Sequence, residues 1–131
     1  MSEGRPGIVL DASALLAALH GEPGGVGVEA SLQGAALSSV NYSEVVQWSA
    51  ARGVDTSGLR ADLEALGIMI LPFTIEDAER AARMWPVTSK FGLSLGDRAC
   101  LALALRLDLP VMTADRVWGK LQMGVEVQLI R

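Results

Sequence analysis

Short runs of consecutive apolar residues alternate along this chain with stretches of helical period, and that alternation constrains the fold more than any other feature. Ile8-Val9-Leu10, Ala36-Leu37-Ser38, Ile68-Met69-Ile70-Leu71, Val111-Met112-Thr113 and Val125 to Ile130 read as strands. Helices are expected over Ala12 to His20, closed by Gly21, then Val28 to Gln33 and Tyr42 to Arg52. Ser57 should cap another that reaches Leu66, and Thr74 one that runs through Met84 and is ended by Pro86. The last two span Leu95 to Leu107 and a short stretch after Asp115. Strands that are continuously apolar, each followed by a helix, imply a parallel sheet covered on both faces. The predicted fold class is therefore α/β, a three-layer α/β/α domain around a mainly parallel sheet of about five strands.

In an open sheet of this kind ligands bind beyond the carboxyl ends of the strands, near the switch in strand order. Asp11 directly follows the first strand and Asp115 follows Val111-Met112-Thr113-Ala114, so both should emerge there. Glu44 and Asp97 fall near the starts of two helices whose amino-terminal ends should face the same rim. Two carboxylates about 5 Å apart repel by roughly 3 kcal/mol at an effective dielectric of about 20. Four of them together would be tolerable only around a cation. A set of oxygen ligands without His or Cys selects Mg²⁺ or Mn²⁺ over zinc.

Each acid taken singly has a plainer explanation. Ser94-Leu95-Gly96-Asp97 and Asn41-Tyr42-Ser43-Glu44 both resemble capping boxes, and Asp11 or Asp115 could cap the helix that follows it. Thr74-Ile75-Glu76-Asp77 has the same pattern and no reason to be catalytic, so it serves as an internal control. A cap contributes about 1 kcal/mol, and an uncharged Ser or Asn supplies it equally well. Four acids aimed at one rim are poorly explained by capping alone.

Composition narrows the rest. The chain has 131 residues, half of them apolar, which suits one domain over residues 1–131 with a polar tail at 1–6. No run of about 18 apolar residues exists to cross a bilayer, and the tail is too short for a signal peptide. The single thiol, Cys100, cannot form an internal disulfide; it reads as a core residue of a cytoplasmic protein. A net charge of −4 argues against nucleic-acid binding through a broad basic patch, although clustered carboxylates account for part of it. Arg98, Arg116, Lys90 and Lys120 are candidate phosphate contacts, with solvated surface charge as the alternative. Trp48, Trp85 and Trp118 read as core or interface residues, with stacking on unpaired bases as the alternative. His20 reads as a helix-terminal or surface group.

Several of these segments carry a resemblance. Ile8-Val9-Leu10-Asp11-Ala12-Ser13-Ala14-Leu15-Leu16-Ala17, Gly21-Glu22-Pro23-Gly24, Ser43-Glu44-Val45, Leu93 to Ala104 with Asp97 at its centre, and Thr113-Ala114-Asp115-Arg116-Val117-Trp118 resemble the PIN-domain ribonucleases. The likeness is greatest to the VapC-type toxins of bacterial toxin–antitoxin pairs and covers essentially the whole chain. It implies a Mg²⁺- or Mn²⁺-dependent endoribonuclease that leaves 5′-phosphate and 3′-hydroxyl ends. Such a protein is usually a homodimer, held inactive by a VapB-like antitoxin. Through the resemblance, Asp11, Asp97 and Asp115 become metal ligands, Glu44 completes the catalytic set, and Ser13 and Thr113 become supporting hydroxyls.

Three rival readings fare worse. A receiver-type phosphoacceptor domain needs an aspartate after its third strand, where this chain has Leu71-Pro72-Phe73. A haloacid-dehalogenase-type phosphatase needs a second aspartate where Ser13 stands. A non-catalytic binding module of the PIN fold would be expected to lose one of the four acids, and all four are present.

Overall fold

In a computed structural model the described residues are 6–131, so the expected polar tail lies outside the described residues apart from Pro6. The chain runs β1 (Ile8–Leu10), α1 (Ala12–His20), α2 (Gly25–Glu29), β2 (Ala35–Ser38), α3 (Ser39–Ala51), α4 (Leu59–Ala65), β3 (Met69–Leu71) and α5 (Ile75–Thr88). A 3-10 turn (Ser89–Phe91) leads into α6 (Leu95–Leu107), β4 (Val111–Thr113), a second 3-10 turn (Arg116–Lys120) and β5 (Val127–Leu129). The five strands form one wholly parallel sheet in the order β3-β2-β1-β4-β5. The chain winds outward from β1 to β3, then returns to the other side of β1 as β4. The switch in strand order thus lies between β1 and β4, whose register pairs Leu10 with Met112.

Strand side chains alternate between faces, and each face has its own core. Ile8, Leu10 and Leu37 join Leu15 and Leu16 of α1, Val28 of α2, Val45 of α3 and Leu63 of α4. Val9, Ala36 and Val111 join Ala81 and Met84 of α5, Leu101 and Leu103 of α6, and Trp118. The expected three layers are therefore present, with α1 to α4 on one side and α5 with α6 on the other. Gly21 closes α1 in the left-handed conformation at φ 65°, donating its N–H to the Ala17 carbonyl. Among the described residues, no helix is long and apolar enough to cross a membrane.

Several boundaries differ from the sequence reading. Helix α3 begins at Ser39 rather than Tyr42, because Ser38 is both the last residue of β2 and a cap whose Oγ accepts from the Val40 N–H at 3.2 Å. Asn41 is consequently inside the helix and caps nothing, and Glu44 sits beyond the first turn. Ser57 caps no helix; its own N–H donates to Asp55 Oδ1, and α4 starts after Gly58. Helix α2 sits earlier than Val28 to Gln33, and β5 is shorter than expected. Helix α5 passes through Pro86 to Thr88 instead of ending at Met84. Proline deprives the Ala82 carbonyl of its partner, but Ala82 and Pro86 are both exposed, so water can take the bond.

Candidate active site

The parallel pairing of β1 with β4 sets the first acid. Asp11 continues the ladder by donating its N–H to the Met112 carbonyl at 2.9 Å, then initiates α1 with extended backbone angles. Its side chain makes no capping bond. Asp11 Oδ2 instead accepts from Ser13 Oγ at 2.7 Å and Thr113 Oγ1 at 2.9 Å. Each hydroxyl has one proton to give, so the 3.3 Å approach of these two oxygens to each other is a contact left over once both protons go to Asp11. Both hydroxyls also accept, Ser13 from the Ala114 N–H and Thr113 from the Asp115 N–H, each at 3.0 Å. A relay thus runs from the backbone beyond β4 to one oxygen of Asp11. Among the described residues, Oδ1 has no hydrogen-bond partner.

Asp97 and Glu44 are brought in by the ends of α6 and α3. Asp97 closes a capping box: its Oδ2 accepts from the Ser94 N–H at 2.8 Å, and its own N–H donates to Ser94 Oγ at 3.1 Å. The cap occupies one oxygen and leaves the other uncommitted. Glu44 reaches across to the start of α6, so closely that a Cβ at position 96 would overlap its carboxylate and force it to shift. Asn41 joins the two helices. Its buried amide donates to Glu44 Oε1 at 2.9 Å and to the Gly96 carbonyl at 3.0 Å, while its Oδ1 is buried without a partner. Sequence reasoning missed both Asn41 and Gly96 as positioning residues. The signal was an Asn-x-x-Glu spacing, which on a helix places the two side chains on one face.

Asp115 ends the β4 connection, exposed, with Oδ1 accepting from the Val117 N–H at 3.1 Å. Arg116, Lys90 and Lys120 are exposed, with Lys90 above the Phe91 ring. Arg98 is turned toward α5, where Nη1 donates to the Ala81 carbonyl at 3.0 Å and Nε is buried without a partner. Trp118 is fully buried, Trp85 is largely exposed, and Trp48 is half-buried beside the His20 ring. Cys100 is buried, as expected of a core thiol.

Burial dominates the electrostatics of this rim. It pushes the Asp11 carboxyl up from 3.8 to about 6, against the two hydroxyl bonds that favour ionisation and with repulsion from Asp97 and Glu44 adding to the rise. Asp97 is also raised, chiefly by burial, with the Ser94 bonds and Arg98 opposing and Asp115 reinforcing the shift. The Cys100 thiol beneath them is raised by its burial and then by Asp11, Asp97 and Glu44. Asp11 therefore feels both Asp97 and Glu44, and Asp97 feels Asp115.

The contrast with Asp77 separates this group from ordinary caps. Asp77 makes the same capping box with Thr74, is 1% exposed, and is matched by Arg106 at 2.9 and 3.1 Å. None of the four rim acids has such a partner among the described residues. No three metal-binding side chains there are gathered tightly enough to hold an ion as placed. The donor set is nonetheless all oxygen, Asp11 is 5% exposed and keeps an unbonded oxygen, and no ion pair among the described residues offsets the charge. These residues fit a hard divalent cation.

Comparison with known proteins bears on the chain as a whole. The family model described as the PIN domain matches residues 8–122. Among solved structures, the chain is similar to a toxin–antitoxin complex from Klebsiella pneumoniae, with 19% identity and a TM-score of 0.71 over 95% of this chain and 98% of that one. FitAcB from Neisseria gonorrhoeae shares 23% identity over 94% and 97% of the two chains, with a TM-score of 0.71. VapBC2 from Rickettsia felis, bound to a promoter DNA fragment, shares 13% over 93% and 97%, with a TM-score of 0.69. No curated protein matches the sequence significantly.

Proposed function

The chain belongs to the PIN domain family, and on that premise we propose that it is a divalent-metal-dependent endoribonuclease acting as the toxin of a toxin–antitoxin pair. One observation carries the reading: the buried Asp11 and the half-buried Asp97 and Glu44 repel one another at the rim of the β1/β4 switch, and none of them is in an ion pair among the described residues. Asp11, Asp97 and Asp115 would hold Mg²⁺ or Mn²⁺. A bound ion there would acidify a water and offset charge on the scissile phosphate.

The protein's own residues set the stage for that chemistry. Ser13 and Thr113 fix Asp11 Oδ2 and so leave Oδ1 as its free oxygen. Asn41 holds Glu44 Oε1, which leaves Oε2 to orient a water toward phosphorus. Ser94 holds Asp97 in the same one-oxygen fashion. Each acid presents one lone-pair-bearing atom at a set position, which lowers the reorganisation needed for in-line attack. With no histidine among these groups, a metal-free acid/base route of the pancreatic ribonuclease kind is disfavoured.

The solved structures it resembles include a complex of toxin with antitoxin, which supports a VapB-like partner; a homodimeric toxin is part of the same proposal. The experiment compares cleavage of structured RNA by the wild type and by Asp97→Asn, with Mg²⁺ and with excess EDTA. Asparagine can still accept the Ser94 N–H, so the cap survives while the charge goes. Near-total loss of cleavage in the folded variant and in EDTA is expected; equal rates in either would overturn the reading.

A further inference from the structure

Glu44, Gln47, Trp48, Ala51 and Arg52 line an open groove of about 360 Å³. The first four share one face of α3 and Arg52 caps its carboxyl end, so the groove runs out of the acidic rim along that helix. Arg52 lies over the Trp48 ring, its Cζ 3.6 Å from the ring centroid, and its Nη1 donates to the Trp48 carbonyl at 3.3 Å. The His20 ring packs against the same indole at 4.6 Å between centroids. Arg52 is exposed and enters none of the ion pairs among the described residues. The result is a guanidinium held in place by an aromatic ring and a backbone carbonyl rather than by an acid.

From this placement we propose that Trp48 and Arg52 form a stacking subsite for an unpaired base of the RNA substrate. The subsite lies one to two helical turns, roughly 6–12 Å, from Glu44. The inference rests on the ribonuclease reading above and names where that site grips its substrate. A planar cation backed by an indole offers a nucleobase a π surface and offers the adjoining phosphate spare N–H donors. Paired bases already stack on their neighbours, so the surface selects single-stranded positions. The other tryptophans do not compete: Trp118 is fully buried, and Trp85 stands on α5 in the opposite layer. A chain of net charge −4 lacks a long basic track, so its hold on RNA must come from a few local contacts of this kind.

The test uses the Asp97→Asn chain with Mg²⁺ and a labelled single-stranded RNA of mixed sequence, about 12 nucleotides long. Anisotropy gives the affinity. Adding Trp48→Ala or Arg52→Ala should each weaken binding about 10-fold, with Trp48→Phe retaining most of it. An RNA of the same length without bases should bind the Asp97→Asn chain as weakly as the alanine variants do. Arg52 is exposed, so Arg52→Ala should keep its unfolding midpoint, and it carries the test even if Trp48→Ala folds poorly. Affinity unchanged in a folded Arg52→Ala variant would overturn the subsite. Unchanged affinity with lost self-association in sedimentation would also overturn it and assign the groove to a second copy of the chain. Cleavage is scored separately on the wild-type chain. Absent cleavage with weakened RNA binding would sink the nuclease reading and keep the subsite; intact cleavage with unchanged affinity would do the reverse.

Discussion

Asp11 and Asp77 are both buried aspartates, yet the chain treats them in opposite ways. Asp77 meets a guanidinium, whereas Asp11 meets two neutral hydroxyls and the fields of two further carboxylates. The difference lies largely in partners remote in sequence, Arg106 for Asp77 and Thr113 for Asp11, so it could not be read from the local pattern of either segment. Glu44 depends on an equally remote neighbour, the missing side chain of Gly96. Gly96→Ala therefore gives a prediction with two signs. Alanine is the better helix former by about 1 kcal/mol, so α6 should hold or gain stability. Its Cβ would displace the Glu44 carboxylate and break the arrangement with Asn41, so RNA cleavage should fall by roughly 10-fold or more. Thermal unfolding and turnover measured on one preparation check this; a fall in both would mean that α6 itself was damaged. At this scale the positions of Asp11, Asp97, Asp115 and Thr113 were legible, since each stands at a strand end or helix start, whereas Glu44 lies inside α3. Asn41 was hidden by its resemblance to a cap. The inward turn of Arg98 was hidden because nothing local says which way a helical arginine points.

Elements were legible where a local signal stopped the chain. Helix α6 runs from Leu95 to Leu107 as expected because Ser94 and Asp97 close its start, and α1 ends at Gly21 for the steric reason that only glycine enters the left-handed region freely. Boundaries were missed where water could supply what the sequence lacked, as at Pro86 in α5, or where one residue served two elements, as Ser38 does in ending β2 and capping α3. The packing of α5 on α6 rests partly on a contact that no pattern in either helix announces: Arg106 reaches Asp77 in two bonds and the Pro72 carbonyl in a third. Arg106→Met should thus leave Asp77 buried with only Arg80, 3.7 Å away. Because Arg106 is itself partly exposed, the expected loss of stability is about 3 kcal/mol, the lower end for a broken buried pair. Denaturant unfolding at neutral pH gives the number, and the cleavage rate per folded molecule should not change. A loss below about 1 kcal/mol would mean that the pair behaves as a surface bridge.

The whole molecule holds together against its own active rim. Asp11 has a folded-state pKa of about 6 against 3.8 in the unfolded chain, so the folded state binds the proton more tightly. Its favourable contribution is fully present below about pH 3.8 and is lost as pH rises through about 6, a total of roughly 3 kcal/mol. The raised pKa of Asp97 acts in the same direction. The metal-free protein should therefore carry a stability deficit at neutral pH that Asp11→Asn removes. In EDTA, the difference in unfolding free energy between Asp11→Asn and wild type should grow between pH 4 and pH 7 by up to that amount. A divalent cation should close the gap from the other side. Mg²⁺ at about 100 times its Kd would stabilise the wild type by about 2.7 kcal/mol, and the variant by much less. The two effects share one cause, since a cation and a proton relieve the same uncompensated charge, so they should not add: the stabilisation by Mg²⁺ should shrink as pH falls below 6. Unfolding curves on a grid of pH and Mg²⁺ concentration measure this competition directly. A Mg²⁺ effect that is flat in pH, or equal in Asp11→Asn, would detach the cation from this rim and leave the repulsion among its acids without the counter-charge that their placement calls for.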